Sequence, residues 1–167
     1  MNLQPIQHLT KGTHKSKVWT SIGNDPQFQL RFCFIPRGWV LIKLNLSTQS
    51  TPASMPRLYY DIGGSYNEKH STTLPLNMAG QCKRMVFIPW TARRLRFDPI
   101  ETMGSFTLEL LSFKPIPPWS TYKFLAKYLR QHPLHYGHSV KQVLQSLKQQ
   151  GKESGINWKA LALKQHD

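Results

Sequence analysis

The sequence predicts a mainly β fold: an antiparallel β-sandwich of jelly-roll or immunoglobulin-like type, about seven strands long, followed by a short α-helical C-terminal tail. Three observations carry that expectation. Apolar and polar residues alternate over short runs through the first two thirds of the chain. Gly, Pro, Asn and Ser signals separate the runs, with no helical pattern between them to serve as the crossover of a parallel sheet. After Pro115-Ile116-Pro117-Pro118, a stiff connector, the apolar period becomes helical. The expected organisation is an N-terminal extension over 1–17, a sandwich over 18–116 and a basic helical tail or linker over 117–167.

The elements follow in order. Phe28, Leu30, Phe32 and Phe34 alternate with Gln27, Gln29, Arg31 and Cys33, as in a strand with one buried face. Pro36-Arg37-Gly38 makes a turn. From Trp39 onward Val40, Ile42, Leu44 and Leu46 form an apolar face, with Lys43 and Asn45 opposite. Residues 47–54 read as a loop. Over 57–62, Tyr59 and Asp61 share one face and Leu58, Tyr60 and Ile62 the other, before Gly63-Gly64 ends the strand. Shorter strands are predicted at 71–76, 84–88 and 94–98; in the last, Arg94, Arg96 and Asp98 stand opposite Leu95 and Phe97. Residues 105–114 close the series, with Phe106, Leu108 and Leu110 on one face and Leu111 and Phe113 after a bulge. In the tail, Ser120 is the expected cap of a helix carrying Tyr122, Leu125, Ala126 and Leu129, stopped before Pro133. Ser139 caps a second helix with Val140, Val143, Leu144 and Leu147 on its stripe and Gly151 at its end. A third, over 156–164, carries Trp158, Leu161 and Ala162. Trp39, Trp90 and Trp119 read first as packing residues.

The chain has 167 residues, 40% of them hydrophobic and 11% aromatic, which excludes wholesale disorder and suffices for a buried core. No apolar run reaches the roughly 18–20 residues of a membrane span, and the first residues lack the basic-then-apolar pattern of a secretory signal. The two cysteines, Cys33 and Cys82, lie in apolar strand settings and read as buried free thiols of a reducing compartment, so a cytoplasmic location is expected. The net charge is +14. Residues 1–115 carry 14 Lys/Arg against 6 Asp/Glu, and residues 116–167 carry 8 against 2, so the tail is the more densely basic part. Such a charge invites nucleic acid or an anionic membrane surface, although the largest local cluster is only Arg93, Arg94 and Arg96.

Catalytic motifs are missing. The acidic residues include no Asp-x-Asp pair, Gly63-Gly64 lacks the Lys and helix of a phosphate loop, and no metal site or cofactor is expected. His132, His135 and His138 read as an interhelix loop rather than zinc ligands. Asp61, before Gly63-Gly64, and Asp98, before Pro99, read as turn formers. The candidate binding residues are instead Tyr59, Asp61, Arg94, Arg96 and Asp98: if their strands share a sheet, Arg96 pairs with Asp61 or Asp98 beside Tyr59. Aromatic rings stack on the apolar faces of sugars, and Arg and Asp bond their hydroxyls. In the tail, Trp119, Lys123, Lys127, Arg130, Trp158 and Lys159 are candidates for contact with a membrane or a partner.

Four stretches carry a family resemblance: Gly38-Trp39-Val40, residues 56–63 (PRLYYDIG), Leu95-Arg96-Phe97-Asp98-Pro99 and Gly104-Ser105-Phe106. Over roughly 18–116 the chain resembles the accessory β-sandwich N-terminal to bacterial glycosyltransferases of the family 2 and rhamnan-synthesis type. The tail is similar to the basic linker leading into their catalytic domain, which these residues do not contain. The resemblance implies a non-catalytic, glycan-associated module that binds or positions a carbohydrate acceptor or a glycosyltransferase in cell-envelope polysaccharide assembly, at the cytoplasmic membrane face. The alternatives from other classes are a basic nucleic-acid-binding protein and a small sandwich-fold carbohydrate-active enzyme using Asp61 and Asp98.

Overall fold

The computed structural model describes residues 1–12, 17–48, 55–130, 133–155, 157–158 and 161–162. The chain divides into two compact units, Met1–Pro115 and Ile116–Asp167.

The first unit holds ten strands: β1 (Asn2–Gln7), β2 (Leu9–Lys11), β3 (Val18–Ser21), β4 (Gln27–Arg31), β5 (Gly38–Thr48), β6 (Arg57–Asp61), β7 (Ser71–Thr73), β8 (Gln81–Ile88), β9 (Arg94–Asp98) and β10 (Gly104–Pro115). They form two antiparallel five-stranded sheets, ordered β1-β4-β9-β6-β7 and β2-β3-β10-β5-β8. With β1 and β2 set aside as edge additions, the orders β4-β9-β6-β7 and β3-β10-β5-β8 are those of a jelly roll. Residues 1–17, expected as an extension, thus contribute two strands to the sandwich.

The core lies between the sheets. Phe28 and Leu30 of β4, Leu58 of β6 and Leu95 and Phe97 of β9 meet Val40, Ile42, Leu44 and Leu46 of β5, Val86 and Ile88 of β8 and Phe106 of β10. Phe28 is its hub. Its ring meets Trp19 edge-on at 4.7 Å and Phe106 edge-on at 6.4 Å, both from the opposite sheet, and stacks with Phe97 at 6.4 Å on the neighbouring strand. Such pairs add about 0.5–1.5 kcal/mol each beyond area burial. The expected alternation of β5 is present in full, but that of β4 is not. The strand ends at Arg31, and past it Phe34 is 91% exposed and Cys33 exposed. Cys33 is thus not the buried thiol expected of it. Cys82 is buried, and that burial pushes its thiol pKa up. Trp90, expected to pack inside, is exposed in the turn between β8 and β9, where its ring covers Gly38.

The bulge of β10 falls one step earlier than its sequence suggests. Leu108 pairs with Leu46 but Leu110 pairs with the next residue, Asn45, so Glu109 is the extra residue. This turns Leu110 outward and Leu111 into the core. The free end of β8 is tied to the loop before it: Asn77 Oδ1 accepts from the Ala79 and Gln81 amides at 3.0 and 2.9 Å, and Leu46 N donates to Gly80 O at 2.9 Å.

In the second unit, α1 (Thr121–Leu129) buries Leu125, Ala126 and Leu129, and α2 (Val140–Ser154) buries Val143 and Leu147. Ser139 caps α2 as expected, in a capping box with Gln142. Ser120 does not cap α1. It is already helical, following a 3₁₀ turn over Pro118–Ser120, and its hydroxyl donates to Pro117 O at 3.0 Å. Gly151 does not end α2 either: it is buried inside the helix, and Gly155, with φ 66, takes the left-handed cap. Trp158, Leu161 and Ala162 are helical, whereas Ile156, Lys159 and Lys164 lie outside the described residues, as does His132. No helix among the described residues is long and apolar enough to cross a membrane.

Gly80 adopts φ +71, and a Cβ there would collide with the Leu46 carbonyl oxygen. Both the positive φ and the clash oppose substitution, so Gly80→Ala is expected to lower unfolding stability by at least ~2 kcal/mol in a denaturant titration.

Candidate functional site

Strand register builds the site. β6 and β9 pair so that Arg57 faces Asp98, Tyr59 faces Arg96 and Asp61 faces Arg94. Leu58, Leu95 and Phe97 point into the core, so the alternate residues stand on the outer face of the sheet. All five candidate sugar-binding residues thus share one surface. β4 sets Gln29 beside Arg96, and β1 sets Gln4 beside Gln29.

At its centre the Arg96 guanidinium lies 4.2 Å from the Tyr59 ring centroid and 5.1 Å from that of Tyr66. Its Nη2 donates to Asp98 Oδ2 at 2.8 Å. The Tyr59 hydroxyl donates to Glu68 Oε1 at 2.7 Å, and Glu68 also accepts from Arg57. Burial, with the Glu68 carboxylate beside it, raises the Tyr59 pKa. Tyr66 donates to Gln29 Oε1 at 3.0 Å, and Gln29 Nε2 donates to Leu95 O at 2.9 Å. Tyr59 is only 6% exposed. The ring expected to stack on a sugar is covered by Arg96, so this cluster is a rigid support rather than a stacking platform.

The two aspartates differ. Asp61 is the turn former expected of it. It accepts from the Gly63 and Gly64 amides at 2.8 and 3.1 Å, and these bonds, followed by Arg94 and Arg93, hold its pKa below the ordinary carboxylate value. Asp98 is not a turn former. It is buried, and burial pushes its pKa up to about 6 although Arg96 beside it acts in the opposite sense. Its second oxygen, Oδ1, accepts no hydrogen bond among the described residues. The register separates Asp61 and Asp98 by four strand positions, about 13 Å at the rise of a strand. The paired carboxylates of glycosidases stand about 5–9.5 Å apart, so these two do not form such a pair. No group of three His, Cys, Asp or Glu among the described residues is placed to hold a metal.

Next to the cluster, on the β1 side, lies a groove of about 620 Å³. Gln4 and Gln29 supply amides, Arg31, Arg93 and Arg94 supply guanidinium groups, and Phe32 and Ile35 supply an apolar part of its lining. Of these, the sequence marks only Arg94 as a binding candidate. The polar half of the 27–31 alternation, Gln29 and Arg31, is a readable signal, whereas Gln4 belongs to an edge strand that is exposed almost throughout and has none.

The tail candidates separate. Trp119 is 84% exposed, and Lys123, Lys127 and Arg130 are exposed at positions that share one face of α1. Trp158 packs edge-on against Tyr122 at 5.2 Å, with Lys148 Nζ 5.6 Å from its centroid, and is a packing residue of this unit.

The Arg96–Asp98 pair has a checkable pH signature. The Asp98 pKa in the folded chain lies above the ordinary 3.8, so its contribution favours folding below pH 3.8 and is lost as pH rises through about 6. Unfolding titrations of wild type and Asp98→Asn are expected to show wild type gaining on the variant between pH 7 and pH 4, by at most ~3 kcal/mol. Arg96→Ala is expected to cost several kcal/mol at pH 7.5 by leaving a buried charge unpaired, and visibly less at pH 5.

No protein-family model matches the chain, and no curated protein does. Among solved structures it is similar to the cleaved adhesin domain of Lys-gingipain from Porphyromonas gingivalis, at 13% identity and a TM-score of 0.38 over 69% of this chain and 75% of that one. It is also similar to a family GH115 4-O-methyl-alpha-glucuronidase with specificity for decorated arabinogalactans, at 12% identity and a TM-score of 0.40 over 70% of this chain. This second likeness spans 16% of that enzyme's length.

Proposed function

We propose that the chain is a non-catalytic, carbohydrate-associated jelly-roll module that holds its glycan in the groove lined by β1, β4 and Arg93-Arg94. The observation that carries this reading is the composition of the groove: two carboxamides and three guanidinium groups beside an apolar patch. Sugar hydroxyls need dense, fixed hydrogen-bond partners, and the apolar face of a pyranose needs a patch to rest on. Gln29 is pre-oriented by Tyr66 and Leu95 O, which lowers the entropic cost of using its remaining donor. The volume suits a short oligosaccharide segment. In keeping with the family resemblance, the module serves glycosyltransferases of cell-envelope polysaccharide assembly by presenting an acceptor chain rather than cutting or joining bonds. A glycan array followed by calorimetry tests it: saturable binding to at least one oligosaccharide is expected, weakened about 10-fold or more by Gln29→Ala. A blank array, with polynucleotide binding that falls steeply with salt, would overturn it in favour of nucleic acid.

The exposed face of α1 supports a peripheral contact with the cytoplasmic membrane leaflet. Lys123, Lys127 and Arg130 each contribute about 1 kcal/mol near an anionic surface. Sedimentation is expected with vesicles containing anionic lipid and not with neutral ones; equal sedimentation with both would remove the electrostatic contribution.

A further inference from the structure

The groove carries an unbalanced positive charge. Its lining includes Arg31, Arg93 and Arg94 and no acidic residue, and all three arginines are exposed without an ion pair among the described residues. Asp61 is the carboxylate opposite Arg94 across the strand pair. Its Oδ1 is taken up by the Gly63 and Gly64 amides, and it is one negative charge against three positive. The other arginines of this face are already spoken for: Arg96 by Asp98 and two tyrosines, Arg57 by Glu68. The outer face therefore divides into a neutralised half around Arg96 and a half that is cationic over the groove.

Guanidinium forks match anionic oxygens better than hydroxyls, through paired, charge-assisted hydrogen bonds. From this we infer that the ligand is an acidic saccharide, one that carries a uronate carboxylate or a sulfate or phosphate ester, with Arg31, Arg93 and Arg94 on the anionic group and Gln4 and Gln29 on neighbouring hydroxyls. This rests on the carbohydrate reading above and narrows it. A single nucleic-acid strand fits the groove less well, because successive bases need a row of rings and the lining offers only Phe32, while Tyr59 and Tyr66 beside the groove flank Arg96.

The test uses the full chain and four probes in parallel calorimetric titrations: tri-galacturonic acid, a sulfated disaccharide, neutral maltotriose and a single-stranded oligothymidylate. One of the two acidic sugars is expected to bind at least 10-fold more tightly than maltotriose, and which one it is identifies the carboxylate or the ester as the anionic group. Arg94→Ala and Arg31→Ala are expected to lower that affinity about 10-fold each. Arg94→Lys, which keeps the charge and loses the fork, is expected to recover only part of the loss. Lys141→Ala removes an exposed charge from α2 and is expected to change nothing. Equal affinity for maltotriose and the acidic sugars would overturn the acidic ligand while leaving a glycan module standing. An effect of Lys141→Ala as large as that of Arg94→Ala would overturn the site, since bulk charge would then account for binding. Preference for the oligothymidylate, or binding of no saccharide at all, would overturn both.

Discussion

The structure depends on the burial of one ring. Phe28 sits where the two sheets meet, held by Trp19 and Phe106 from one sheet and by Phe97 from its own. In a strand the side chains alternate, so fixing Phe28 and Phe97 inward fixes Gln29, Arg94, Arg96 and Asp98 outward. A one-residue slip of β4 or β9 would bury guanidinium groups and expose phenyl rings, both at a large cost. The aromatic core thus determines the chemistry of a surface it never touches.

On that surface the protein spends its charges in two ways. Arg96 is half-buried between tyrosines and paired with an aspartate whose protonation burial favours, so its charge stiffens the β6-β9 ladder and is largely taken up by its neighbours. Arg31, Arg93 and Arg94, a few residues away in the chain or one strand over, keep their charges in water. The +14 of the whole chain is therefore a poor guide to function; what matters is which cations are free to meet a ligand.

Legibility followed burial. β5, with a clean alternation and one face wholly in the core, could be read residue by residue, as could β6 and β9. β1 and β2 could not, because both are edge strands: in Asn2–Gln7 only Leu3 is even partly buried, and Pro5 looks like a strand breaker. The β10 bulge was anticipated but misplaced, since Leu110 and Leu111 are equally apolar and only the pairing with Asn45 decides which faces inward. Asp98 looked like a turn residue because Pro99 follows it. Its role comes from Arg96 two residues earlier on the same face and from the depth of β9 in the sheet, and neither is a local signal. Tyr66 and Glu68, which complete the Arg96 cluster, lie off the strands with no periodicity to mark them.

The interleaved strand order also sets the timing of assembly. Apart from β2 with β3 and β6 with β7, every ladder joins strands that are not neighbours in the chain, and β3 finds its inner partner only in β10. Closing such loops is slow, because chain entropy must be lost before the distant contacts form. During synthesis the sandwich cannot close until the stretch ending at Pro115 has left the ribosome. Until then β3 and β5 each lack the partner that β10 supplies, and the core face of the growing chain stays uncovered.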